Sequence, residues 1–306
     1  MVRNIYEECL SWRHPWEWFD RGRYVFCFHD VSPDGARHHS SRYSTTPARF
    51  ASQLAYLAAR FRILPLDDLL AGSGPTGRAS AAITFDDGFR SVLSDALPVL
   101  EHHRMPFTVF VNGDAVLHDR NWVTDLVLHS GGTAFVRETV MAAECDPAMA
   151  TDAIALIMAS GRFGQRWAMR PHPRNTERVF LNSDELLALH RRGVPIEDHG
   201  WSHTVLSRSD EATLTEEITA TRVLIEDITG RPPRHFAIPF GKKEHYDRSI
   251  IGRLMGPGGC TVHSSNPDRV RSSAPGMLVP RIIVQNETVP QLAFLINRTL
   301  VRRIDL

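Results

Sequence analysis

The chain alternates short apolar runs with segments of helical spacing, and this rhythm restricts the possible folds more than any other feature. The runs 24–33 (YVFCFHDVSP) and 106–113 (PFTVFVNG) are closed by polar residues, proline or glycine, as is typical of strands buried on both faces. A helix is predicted to begin at Pro47, behind the cap Thr46. Strands separated by helices indicate a parallel sheet covered by helices.

The rhythm stops between about 121 and 178 and then resumes as far as the C-terminal segment. This stretch contains two helical patterns and no convincing strand. We therefore interpret it as a helical insertion that is too small to fold separately. We expect residues 1–306 to form a single domain.

Composition limits the possible partners. The 306 residues include 35 basic and 35 acidic side chains, and such a balance argues against nucleic acid as a partner. No apolar run is long enough for a transmembrane segment. The N-terminal segment, which carries Trp12, Trp16 and Trp18, is charged throughout and lacks the apolar region of a signal peptide. We therefore expect a cytoplasmic protein. The tryptophans are expected to pack on the rest of the fold, with an aromatic surface for a lipid or a sugar as the alternative.

Two adjacent aspartates end the strand predicted at 81–85. Strand alternation places Thr84 and Asp86 on one face, and Gly88 permits a turn that brings Asp87 to the same side. Taken alone, Asp-Gly is the pattern of an ordinary turn. At the carboxyl end of a core strand, however, two carboxylates raise the cost of ionising each other, and a bound cation would offset this repulsion.

Two further strand ends carry chemically capable residues. His199 lies at the end of the strand predicted in 194–200 (VPIEDHG), and His203 follows it. Fifteen histidines make a four-residue spacing common by chance, but two imidazoles and one carboxylate would suit a divalent cation and leave room for water. The string IPFG at 238–241 is predicted to turn sharply, so that Phe240 lines a pocket; alone it also fits an ordinary turn.

Together these stretches resemble the polysaccharide deacetylases, also called carbohydrate esterase family four or the nodulation-factor deacetylase homology domain. TFDDG at 84–88 matches the first family motif in full. HGWSH at 199–203 matches the second, except that Gly200 stands where serine or threonine is usual. IPFG resembles the third, with Ala237 at a position that is often arginine. The resemblance extends from about Tyr24 to Arg281, interrupted by the insertion.

The resemblance implies a distorted (β/α) barrel with fewer than eight full units, and metal-dependent hydrolysis of an N-acetyl group on a sugar. Carried over by position, Asp87, His199 and His203 would bind one divalent metal ion. Zinc is expected, with cobalt and nickel as alternatives. Asp86 would be the general base that activates the attacking water.

The resemblance also assigns Pro239, Phe240 and Gly241 to the substrate side of the site. Their loop would contribute a backbone N–H, near Phe240 or Gly241, to hold the oxyanion.

One departure concerns the proton donor for the leaving amine. The family often has a late histidine as general acid, whereas the corresponding segment 277–286 (MLVPRIIVQN) has none. Arg281, the polar residue available there, is expected to orient Asp86. His29 ends the first strand on the same face as Cys27, and it is the preferred candidate for the acid, with His263 as a second candidate.

The sequence therefore favours a hydrolase that removes an N-acetyl group from an acetamido sugar or glycan. An amidase acting on a non-sugar amide, such as a cyclic imide or ureide, stays open because the late histidine is missing and the third motif is altered. A weakly active carbohydrate-binding relative is the other alternative. A cytoplasmic location would favour an N-acetylated sugar linked to a nucleotide or a lipid.

Overall fold

The computed structural model describes residues 22–33, 44–72, 78–121, 178–271 and 278–301, with side chains up to residue 297. The statements below concern these residues. The insertion predicted at about 121–178 and the tryptophan-rich N-terminal segment lie outside them, apart from the ends of the insertion.

The described strands are β1 Arg23–Phe28, β2 Asp30–Val31, β3 Ser44–Thr45, β4 Arg62–Ile63, β5 Ser80–Phe85, β6 Phe107–Val111, β7 Ile196–Asp198, β8 His235–Ala237, β9 Thr261–Ser264, β10 Val279–Pro280 and β11 Ile282–Ile283. The α-helices are α1 Pro47–Arg60, α2 Leu66–Leu70, α3 Leu97–His102, α4 Gly113–His118, α5 Ser183–Arg191, α6 Glu211–Thr229, α7 Arg248–Met255 and α8 Val289–Val301.

The main sheet is parallel, in the order β10-β9-β8-β7-β6-β5-β1-β11, and β4 pairs with the beginning of β5. Its two outermost strands, β10 and β11, are separated along the chain by Arg281 alone. The two edges of the sheet therefore meet at one residue, and the sheet nearly closes on itself. The fold is a distorted (β/α) barrel, as the sequence predicts.

Strand alternation gives the barrel two apolar layers. Val25, Ala82 and Phe110, from three neighbouring strands, pack together in one buried cluster. Residues next to them in sequence, such as Phe26 and Ile83, belong to a second cluster with the covering helices. Because both faces are buried, the strands read as continuous apolar runs in the sequence.

The local signals for helix ends are confirmed. Thr46 accepts a hydrogen bond from the Arg49 backbone N–H, and Pro47 is the first helical residue of α1. Asn182 and Glu185 form a reciprocal capping box at the start of α5. These contacts satisfy backbone groups that have no partner within the helix.

One helix differs from its sequence-based prediction. The pattern predicts a continuous helix from Phe89 to His102, but the structure has a π-helical turn over Val92–Ala96 before α3. Pro98 lies near the junction and has no backbone N–H to donate to the preceding turn. None of the described helices combines the length and apolar character needed to cross a membrane.

Candidate active site

The three sequence motifs form loops at the carboxyl ends of β5, β7 and β8. Each loop contains one non-glycine residue with a left-handed backbone: φ is 68° at Asp87, 58° at His203 and 59° at Phe240. Such conformations are uncommon for residues with a side chain, and they concentrate at functional sites because the surrounding structure must hold them. The three motifs are therefore held in unusual, defined conformations.

Asp87, His199 and His203 bring their side chains together in a buried cluster. The Asp87 Oδ1 atom lies 3.5 Å from His199 Nε2 and 3.3 Å from His203 Nε2. Ligand atoms about 2.1 Å from a tetrahedral ion are about 3.4 Å apart. The spacing and the donor set thus fit a single divalent cation held between these three side chains.

The protonation of the cluster supports the same arrangement. His199 Nδ1 lies 2.8 Å from the Ala237 carbonyl oxygen, which can only accept, so Nδ1 carries the proton and Nε2 keeps its lone pair towards Asp87. Burial lowers the pKa of His199, which favours the neutral imidazole. Burial and the neighbouring Asp86 charge raise the pKa of Asp87 well above its usual value. A cation would offset that penalty.

Asp86 is in the opposite situation, although it is the adjacent residue. The two Nη atoms of Arg281 donate to the two Asp86 oxygens, each at 2.7 Å, and both side chains are buried. Burial acts to raise the pKa of Asp86, but the Arg281 charge and hydrogen bonds hold it well below its usual value. Asp86 is therefore ionised and fixed in orientation.

Arg281 reaches Asp86 from the point at which the sheet closes, between β10 and β11. Ala237, at the position where the third family motif often has arginine, instead contributes its backbone carbonyl to His199. The guanidinium thus comes from the junction between β10 and β11.

His29 lies close to Asp86. Single ligand atoms of Cys27, His29 and Asp86 are all within 4.8 Å of one another. Burial lowers the pKa of His29 to about 4, although the Asp86 charge acts in the opposite direction. His29 is therefore neutral near neutral pH. Arg281 already binds both Asp86 oxygens, so these three residues make a poorer cation site than the Asp87 cluster.

His263 lies in the barrel interior and belongs to neither group of ligand atoms. Its Nε2 atom is 3.0 Å from His235 Nδ1, and His235 Nε2 is 3.0 Å from Asp67 Oδ1. Burial lowers the pKa of His263 well below its usual value. This chain leads from buried His263 to the half-buried Asp67 of α2, so the structure favours His29 over His263 as the group next to Asp86.

The third motif forms a tight turn beside the histidines. The Phe240 ring packs on the His203 ring with centroids 4.6 Å apart. The Gly241 N–H donates to the Pro239 carbonyl oxygen at 2.7 Å, so it is already engaged. A Cβ atom at Gly241 would lie 2.6 Å from the Ser265 backbone nitrogen. Glycine is therefore required where this turn approaches the end of β9.

Sequence reasoning missed the polar residues behind the second motif. Asn112 Nδ2 donates to the His199 carbonyl oxygen at 2.6 Å, and Glu217 of α6 accepts from Ser202. The signal for Glu217 was present: it lies between Leu214 and Thr221 on the stripe that α6 buries. A carboxylate on a buried stripe needs a partner.

The barrel and its site define a class of protein: a parallel (β/α) barrel that carries an ionised carboxylate beside a cluster of one carboxylate and two imidazoles, all at the carboxyl ends of its strands. The family model described as polysaccharide deacetylase matches residues 73–254, more than half of the chain. The chain belongs to the polysaccharide deacetylase family, which supports carbohydrate deacetylation as its type of activity. Arg281 lies beyond the matched segment. No curated protein matches the sequence.

Solved structures of deacetylases share the fold. A polysaccharide deacetylase from Bacillus cereus superposes with a TM-score of 0.60 at 17% identity, covering 91% of this chain and 70% of the other. IcaB from Ammonifex degensii gives 0.56 at 20% identity, with coverage of 90% and 97%. The Streptococcus pyogenes deacetylase PplD, in complex with acetate, gives 0.58 at 15% identity, with coverage of 90% and 99%.

Proposed function

We propose that this protein is a divalent-cation-dependent N-deacetylase that hydrolyses the acetamido group of a sugar or glycan. The observation that carries the proposal is the contrast between neighbouring carboxylates. Asp86 is ionised and fixed by Arg281, whereas Asp87 faces two imidazoles and carries a raised pKa. One carboxylate is suited to be a base and the other to be a ligand.

Asp87, His199 and His203 would hold the cation, and zinc is the preferred candidate because the donors are two imidazoles and one carboxylate. A divalent cation bound there would polarise the acetyl carbonyl and make a nearby water more acidic. Asp87 and His203 both have a left-handed backbone, and conformations of this kind concentrate at functional sites.

Asp86 would act as the general base that takes the proton from the attacking water. Its two hydrogen bonds to Arg281 keep it ionised and aim it. The same contacts make it a weak holder of the proton, since its pKa is held well below the usual value. The proton must then pass to a more basic group.

We propose His29 as that group. It is neutral at neutral pH, because burial lowers its pKa to about 4, and it lies within 4.8 Å of Asp86. It would accept the proton that the water loses and deliver it to the amine nitrogen as the C–N bond breaks. The products are acetate and the free amino sugar. His29 is then a proton relay rather than an acid that is charged at rest.

Phe240 and Pro239 would line the substrate side of the site. The Phe240 ring borders His203, and it offers an apolar wall beside the acetyl group. Of the two predicted oxyanion donors, the Gly241 N–H already donates to Pro239. The oxyanion contact stays a prediction for the backbone of this turn, near Phe240 or Gly241.

The test is acetate release from a panel of N-acetylated sugars, including nucleotide-linked and lipid-linked forms. A cyclic imide and a ureide serve as competing substrates. We expect acetate release from at least one sugar, its loss after chelation, and its return when zinc is added back. Hydrolysis of the imide or ureide without acetate release would replace this proposal with the amidase function.

A further inference from the structure

We infer that Glu217 is a positioning residue that holds the second motif in its cation-binding conformation and takes the space that a side chain at position 200 would need. The inference rests on the proposed cation site. It concerns the segment between His199 and His203, which contributes two of the three proposed ligands.

The Glu217 side chain enters the second motif from behind. It is almost fully buried on α6. Its Oε1 atom accepts a hydrogen bond from the Ser202 backbone N–H at 2.8 Å and another from the Ser202 hydroxyl. A carboxylate bound to a backbone N–H makes a strong, directional contact. It fixes the peptide between Trp201 and Ser202, one residue before His203, whose φ of 58° needs support from its surroundings.

Gly200 lies close to the Glu217 carboxylate, where there is little room for a side chain. Its φ is 79°, and a Cβ atom there would lie 2.7 Å from Glu217 Oε2. A Cβ atom at that distance would force the Glu217 carboxylate to shift, and the burial of this side chain and its hydrogen bonds to Ser202 oppose the shift. The departure of this chain from the usual serine or threonine therefore has a structural reason. Glu217 occupies the volume that such a side chain would use.

A second side chain of the same helix acts on the same segment. Thr221, one turn after Glu217, donates from its hydroxyl to the Gly200 carbonyl oxygen at 2.9 Å. The Asp198 carboxylate accepts from the Gly200 N–H at 2.8 Å. α6 therefore grips the segment at two points, and displacement of Glu217 would change where His203 Nε2 lies relative to Asp87. Groups that orient metal ligands typically change metal affinity by about 10- to 100-fold when they are removed.

The first experiment measures zinc affinity by competition with a chelating dye, which needs no catalytic turnover. We expect Glu217→Ala to weaken zinc binding by about 10- to 100-fold. Glu217→Gln keeps an oxygen for the Ser202 N–H and should recover most of the loss. Glu216→Gln is the matched control, since Glu216 is the exposed neighbour on the same helix. The absorption spectrum of the cobalt form should change in Glu217→Ala and not in the control.

The second experiment is a double-mutant cycle with Gly200→Ser. Alone, this change should weaken zinc binding at least about 10-fold, because the new side chain meets the Glu217 carboxylate. In the Glu217→Ala background, Gly200→Ser should weaken zinc binding much less. The backbone strain at position 200 is the same in both backgrounds, but the collision with the Glu217 carboxylate is absent from the second. Additive losses would overturn the inference.

The outcomes separate this inference from the proposed function. Wild-type protein that binds no divalent cation would overturn both. Wild-type protein that binds zinc, with equal affinity in folded Glu217→Ala, would overturn only the role of Glu217. If Glu217→Ala does not fold, unchanged zinc affinity in folded Gly200→Ser would overturn it instead.

Discussion

The adjacent carboxylates should respond oppositely to the same substitution. In the chelated protein at pH 7, Asp86→Asn should lower the free energy of unfolding, and Asp87→Asn should raise it. Both Asp86 oxygens accept hydrogen bonds from buried Arg281. The Asp87 carboxylate, in contrast, is destabilised by its burial beside another carboxylate. Most substitutions at buried positions destabilise, so a gain at Asp87 is a demanding expectation.

The magnitudes follow from the contacts. Removing one partner of a buried ion pair costs about 3–5 kcal/mol, and asparagine keeps one acceptor for Arg281, so we expect a loss of about 3 kcal/mol at Asp86. Stabilising single substitutions commonly gain about 0.5–2 kcal/mol, and we expect a gain within this range for Asp87→Asn. Asparagine also tolerates the left-handed backbone at this position.

The pH dependence has opposite signs for the two residues. The Asp86 pKa is lowered on folding, so its contribution is present above the unfolded value of about 3.9 and is lost as pH falls below it. The Asp87 pKa is raised, so its penalty is full at pH above the native pKa and disappears as pH falls and the carboxyl takes up a proton. The advantage of Asp87→Asn should therefore shrink as the solution is acidified.

The assay is urea unfolding of the three proteins, followed by circular dichroism with chelator present and then at saturating zinc. Zinc at 100 times its dissociation constant should stabilise the wild type by about 2.7 kcal/mol, and it should stabilise Asp87→Asn much less. The reasoning is refuted if both variants are destabilised equally in chelator, or if zinc stabilises Asp87→Asn as much as the wild type.

Three further predictions concern turnover and its pH dependence. Asp86→Asn should keep the bound cation and lower turnover by roughly 100-fold or more, as expected for loss of a general base; metal analysis and acetate release on one sample check both, and an active variant would show that the two aspartates have been assigned in reverse. Arg281→Lys keeps the charge but not the paired hydrogen bonds, so the Asp86 pKa should rise and the acid limb of the kcat/KM profile should move to higher pH. An unmoved limb would show that Arg281 does not set the pKa of Asp86. His29→Gln should lower kcat much more than it raises KM. In the wild type, up to about 3 kcal/mol of the free energy of unfolding is lost between pH 6.5 and about 4, because the unfolded histidine takes up a proton that folded His29 resists. His29→Gln should reduce that loss, and a variant with the wild-type loss and normal kcat would leave His29 no part in proton transfer.

Much of the fold was predictable because its signals are local. The strands are recognisable as apolar runs closed by polar residues, and the capping side chains of Thr46 and Asn182 indicate where helices begin. The closure of the sheet was not predictable in the same way. It depends on Arg281, which divides the last predicted strand into β10, paired with β9, and β11, paired with β1. No local sequence pattern indicates which distant strands will pair at the edges of a sheet.

In the candidate site, too, the residues with local sequence signals were predictable and those from distant parts of the chain were not. Asp87, His199 and His203 were found because each lies beside a recognisable strand end, and the structure brings them together. The supporting groups come from distant parts of the chain: Glu217 from a helix and Asn112 from the end of β6. A buried polar residue on an apolar stripe signals that some partner exists, but only the folded chain shows that Ser202 is that partner.

The most direct test of the account is an activity titration. Chelated protein is given increasing amounts of zinc, and acetate release from an N-acetylated sugar is measured after each addition. We predict no release without zinc, a linear rise as zinc is added, and a break at one equivalent per chain. The same titration of a His199→Ala, His203→Ala double variant should stay flat. Acetate release that is independent of added zinc, or an unchanged break in the double variant, would contradict the proposed cation site.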